Sequence, residues 1–102
     1  MGYEYRLYIK PKLNKLEDYC LPTLRNTNWE QIQTSFIGIQ GIGIKEKSTP
    51  LDSSWPQIAD LTLEGNGSVY ILCHTNEGTT FINHFIEVLK ETGHQVKVDD
   101  DI

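Results

Sequence analysis

Three histidines, two cysteines and fourteen acidic residues are the groups of this 102-residue chain that could do chemistry. His74, His84 and His94 recur every ten residues, a spacing that repeats neither a helical turn nor a strand alternation. Cys73 and His74 are neighbours on a strand, so their side chains point to opposite faces and do not share one metal without distortion. Cys20 and Cys73 stand alone in apolar stretches rather than in CxxC pairs, which reads as buried, reduced thiols and not as a disulfide or metal site. Gly38, Gly41 and Gly43 reverse the order of a dinucleotide fingerprint, and no amphipathic helix follows to present its N-terminus to a phosphate. GxSxG, CxxC and HExxH are all absent from the sequence. The expectation is a protein that is not an enzyme and holds no cofactor or metal.

The carboxylates and tryptophans point to binding instead. Residues 1–50 carry seven Lys/Arg against five Asp/Glu, while residues 51–102 carry two Lys against nine Asp/Glu, and the whole chain has a net charge of −5. A negative second half repels phosphates and favours a basic protein partner over nucleic acid. Asp60 and Glu64 share the strand face opposite Leu61 and Leu63, either as solvated anions or as contacts for that partner. Trp55, between Ser54 and Pro56, either plugs the edge of the core or anchors an interface. The predicted partner-binding residues are Asp52, Trp55, Asp60, Glu64 and Glu77. Trp29 is expected to close the core beside the first helix.

The elements that position these residues follow from periodicity. Tyr3, Tyr5, Leu7 and Ile9 alternate with polar neighbours as a half-buried strand does, and Pro11 ends it. A helical pattern begins at Asn14, with Leu13, Leu16, Cys20 and Leu24 roughly on one side and Pro22 ending or bending it early. Trp29 to Gln40 enters the sheet. Ile37 to Ile44 is either a hairpin turning at Gln40-Gly41 or one long strand with glycine bulges. Lys45 to Pro56 is polar and reads as an exposed loop. Ala59 to Leu63 and Val69 to Cys73 alternate on either side of Gly65-Asn66-Gly67-Ser68, a hairpin. Thr79 or Thr80 caps a helix with the stripe Phe81, Ile82, Phe85, Ile86 and Leu89, closed by Gly93 and followed by a strand over Gln95 to Val98.

This order predicts one α+β domain over residues 1–102: a mostly antiparallel sheet with two helices packed on one face, a ferredoxin-like or related sandwich. No window approaches the roughly 18–20 apolar residues of a membrane span, and no apolar core follows Met1 to Arg6 as a leader has it. Arg6 stands where a myristoylation site has Ser or Thr. The expected location is the cytoplasm.

The size, the strand-helix-strands-helix-strand order, the hairpin Leu61-Thr62-Leu63-Glu64-Gly65-Asn66-Gly67-Ser68-Val69-Tyr70-Ile71, and the helix Phe81 to Thr92 followed by Gly93 and an acidic strand together carry a likeness. In these the chain resembles the small acidic immunity proteins that bacteria encode beside polymorphic or contact-dependent toxins. The resemblance implies a protein that neutralises a toxin domain, such as a nuclease, by covering its active site or a neighbouring surface. The basic first half departs from that pattern. The competing expectation is a small ferredoxin-like regulatory or ligand-binding domain, often a homo-oligomer through sheet or helix faces. A third is a small enzyme using His74 with a carboxylate, which fails if His74→Ala leaves every activity intact.

Overall fold

The computed structural model describes residues 3–36, 39–50 and 57–99, and their side chains apart from those of residues 33–36, 39 and 40. Strand β1 (Tyr3–Lys10) buries Leu7 and Ile9 on one face and turns Arg6 and Tyr8 to the other. Helix α1 (Glu17–Leu24) starts three residues later than its periodicity predicts; Leu13 and Leu16 are buried, but from the segment before it. Pro22 stands in its last turn and leaves the Asp18 carbonyl without a helical N–H, so the helix stops after eight residues.

Strands β2 (Trp29–Phe36) and β3 (Ile39–Glu46) pair antiparallel from Trp29↔Glu46 to Phe36↔Ile39. They form a hairpin, but not one that turns at Gln40-Gly41: those residues pair with Ser35 and Thr34 inside the ladder, and residues 37 and 38 between the strands lie outside the described residues. A Cβ at Gly43 would crowd Ile32 Cγ1 and Gln57 Cγ, each at 3.0 Å, so a side chain there needs both neighbours to give way. Strand β3 also runs through Lys45 and Glu46, which polarity had assigned to a loop. The Lys45 side chain is buried because its ammonium finds three acceptors: Glu30 Oε1 at 2.6 Å and the carbonyls of Glu46 at 3.0 Å and Thr49 at 2.9 Å.

Strands β4 (Gln57–Leu63) and β5 (Val69–Cys73) form the expected hairpin, pairing Ala59↔Cys73, Leu61↔Ile71 and Leu63↔Val69. Its turn needs Gly67, whose φ is +89°. Helix α2 (Asn76–Glu91) begins a turn earlier than predicted. The cap is Thr75, whose hydroxyl accepts the Gly78 N–H at 3.3 Å, and Thr79 and Thr80 lie within the helix. Gly78 lies inside the helix; a Cβ there would lie 2.4 Å from the Ile58 carbonyl oxygen, so glycine is what lets the helix settle on β4. At the far end Gly93 (φ +91°) caps as expected, with His94 N–H on the Leu89 carbonyl at 3.0 Å and Gly93 N–H on that of Lys90 at 3.1 Å, both bonds of a Schellman motif. Strand β6 (Gln95–Asp99) follows.

The six strands are ordered β2-β3-β4-β5-β1-β6, every neighbour antiparallel. Strands β1 and β2 therefore run the same way, as do β5 and β6, and each pair is joined through a helix. These are two split β-α-β units, the ferredoxin-like connectivity with one extra hairpin in the middle, as the sequence predicts. Both helices pack on one face. Leu7, Ile44, Leu61, Val69, Ile71 and Cys73 meet Phe81, Phe85 and Leu89 of α2 and Cys20 of α1, all fully buried. Removing each such large side chain from water contributes about 1.5–3 kcal/mol. No helix among the described residues is long and apolar enough to cross a membrane.

Candidate functional site

Strand β4 places Asp60 and Glu64 on the face away from the helices, as predicted, but neither is a free anion. Asp60 Oδ2 lies 2.7 Å from His74 Nε2. Glu64 takes the Arg6 guanidinium through Nε at 2.7 Å and Nη2 at 3.4 Å, and also accepts the Ser68 hydroxyl at 2.8 Å. The same guanidinium sits 5.6 Å from the centre of the Tyr70 ring. The bond to Glu64 holds the Arg6 pKa above its ordinary value. Asp60 Oδ1 is buried without a hydrogen-bond partner, beside the space that Gly43 leaves.

The histidines serve separate places. His94 places Nδ1 2.9 Å from the Pro11 carbonyl and Nε2 3.0 Å from the Tyr19 hydroxyl, tying β6 to α1. His84 is exposed beside the Trp29 ring. No group of three or more His, Cys, Asp or Glu among the described residues could hold a metal ion. Cys20 and Cys73 are free and buried, and burial pushes their thiols up to about 12 and about 11. Their thiolates are correspondingly scarce at neutral pH.

Glu77 stands elsewhere, in the first turn of α2, and there the structure assembles a site the sequence reading missed. The corner between α1 and β2 is fixed by Asn26, in the left-handed region at φ +61°, and by Thr27, whose hydroxyl donates to the Leu24 carbonyl and accepts the Trp29 N–H at 3.3 Å. Trp29 then opens β2 directly opposite Glu46 of β3. Its ring packs edge-on against Phe81, with centroids 5.9 Å apart, which makes the closing partner α2. Its Nε1–H donates to Glu77 Oε2 at 3.3 Å. Asn26, Thr27, Asn28, Trp29, Glu46 and Glu77 line an open cavity of about 360 Å³.

Two carboxyl groups meet in this cavity. The Glu77 side chain, through hydrogen bonding and its charge, holds the Glu46 pKa above its ordinary value, with burial adding to the shift. Among the described residues Arg6 pairs with Glu64 and Lys45 with Glu30, and neither ion pair reaches Glu46 or Glu77.

Of the five predicted partner-binding residues, Asp60 and Glu64 share the open face with different partners, and Glu77 is set apart at the cavity. Asp52 and Trp55 lie outside the described residues. Glu46 and Trp29 escaped the reading because their meeting depends on the β2–β3 register and on a helix 48 residues away; the one local signal was a tryptophan at a strand start. No protein family, no curated protein and no solved structure matches this chain.

Proposed function

We propose that this chain is a protein-binding module of the immunity type, acting in the cytoplasm to neutralise a cognate toxin by docking on that toxin's basic surface. The observation that supports it is the meeting of Glu46 and Glu77 beside Trp29. Folding brings two acidic side chains to one cavity, and no ion pair among the described residues reaches either of them. A lysine or arginine from a partner removes their repulsion, and the indole adds a cation–π surface. The net charge of −5 steers a basic partner toward the chain and speeds association at low salt. Asp60, bonded to His74, and Glu64, paired with Arg6, act as a rim and not as the anchor.

The test is co-expression with the product of the neighbouring gene. That product alone should arrest growth, the wild-type chain should restore it, and the double variant E46Q/E77Q should not. A neighbouring product without toxicity, or rescue unchanged by the double variant, counts against the reading.

The ferredoxin-like connectivity favours a second reading, a small regulatory or ligand-binding domain. A metabolite that raises the melting temperature by several degrees in a thermal-shift screen would support it.

A further inference from the structure

Strand β6 is an edge of the sheet: β1 pairs with one side of it, and no other strand among the described residues pairs with the other. Its side chains are poorly covered, with Val98 44% exposed beside Tyr8 at 40%. Tyr8, Lys97, Val98 and Asp99 line a shallow opening there of about 440 Å³. An edge of this kind presents backbone N–H and C=O groups to any strand that fits it.

The charges on the open face indicate which strand fits. Arg6 of β1 holds Glu64 from one side and stands opposite Asp99 of β6 on the other, so sign alternates from Glu64 through Arg6 to Asp99 as the sheet runs to its edge. The next position outward is suited to a cation. Lys97 lies two residues from Asp99, on the same face of β6.

We infer that β6 pairs antiparallel with β6 of a second copy about a two-fold axis at Val98, joining two sheets into one. A two-fold perpendicular to the sheet keeps each face on its own side, so only centres on a residue are allowed. A centre on Lys97 sets ammonium against ammonium. A centre on Val96 sets Gln95 against Lys97. The centre on Val98 sets Lys97 against Asp99 of the second copy twice over, with Val98 against its own mate on the other face. Like charges opposed across strands destabilise a pair and opposite charges stabilise it, so the lysine, a common guard of lone edges, here selects one register. The contact is small and isologous, which sets its affinity in the micromolar range.

Analytical ultracentrifugation from about 5 to 500 µM should show a monomer–dimer equilibrium with a midpoint in the tens of micromolar. K97D and D99K should each be monomeric throughout that range, because each sets like charges opposite one another. Their equimolar mixture should recover the dimer, since the mixed pair restores opposite charges at both positions. Circular dichroism would confirm that each variant is folded. Should either variant fail to fold, amide hydrogen exchange on the wild type decides: outward-facing amides of β6 should gain protection as concentration rises. A wild type that stays monomeric, folded variants that dimerise as the wild type does, a folded mixture that stays monomeric, or exchange in β6 that ignores concentration would each overturn the inference.

Discussion

Glu46 and Glu77 come from elements far apart in the sequence and meet beside Trp29, at the end of the sheet where α2 begins. Glu77 alone is well placed, in the first turn of a helix where an anion complements the dipole. Glu46 adds a like charge to it, and the raised Glu46 pKa records the cost. The proposed binding role rests on this pair of acidic side chains lining an open cavity beside an indole.

The first prediction concerns Glu46→Gln. Because the folded state raises the Glu46 pKa, it binds the proton more tightly than the unfolded chain does, and this contribution to stability is lost as pH rises through the folded pKa. Glutamine removes the repulsion. The variant should melt about 1–3 °C above wild type at pH 7, with the difference vanishing at pH values below the ordinary carboxyl range. Thermal melts across pH check this; a variant less stable than wild type at pH 7 would contradict it.

Gly78→Ala should destabilise although alanine is the better helix former. The added Cβ meets the Ile58 carbonyl oxygen at 2.4 Å, so α2 has to lift from β4. A loss of about 1–3 kcal/mol in urea denaturation is expected, against the gain of about 1 kcal/mol that propensity alone gives.

Lys45→Ala should cost about 1–3 kcal/mol, because it leaves Glu30 and the carbonyls of Glu46 and Thr49 without their donor in a mostly buried place. Equilibrium unfolding measures it, and a neutral result would mean that water replaces the ammonium.

Cys20 and Cys73 should resist thiol reagents in the native protein. With burial raising them to about 12 and about 11, neither should react with an aromatic disulfide reagent near neutral pH, and both should react once urea unfolds the chain. Rapid native labelling of either would show that the core opens there.

Much of this fold is legible in the sequence wherever two signals agree. In β4–β5 a two-residue period and a glycine turn coincide, and the structure has the hairpin where those signals place it. Gly93 likewise ends α2 where the apolar stripe runs out. The reading goes astray where one residue type serves two purposes. Thr79 and Thr80 look like caps because hydroxyls often cap helices, but the cap is Thr75, and Gly78 lies inside the helix against Ile58. Lys45 looks like a loop residue because lysine is charged, but its burial depends on Glu30 in the neighbouring strand. The cavity was illegible for the same reason: Asp60 and Glu64 could be placed on a face by alternation alone, whereas Glu46, Trp29 and Glu77 meet only through strand register and helix docking.

The proposed role is tested most directly by isothermal titration of the folded chain with the product of the neighbouring gene, comparing wild type with E46Q/E77Q. Nanomolar binding by the wild type, weakened about 100-fold in a double variant that melts no lower, is the result predicted. Equal affinity of the two proteins, or no binding by either, would contradict it.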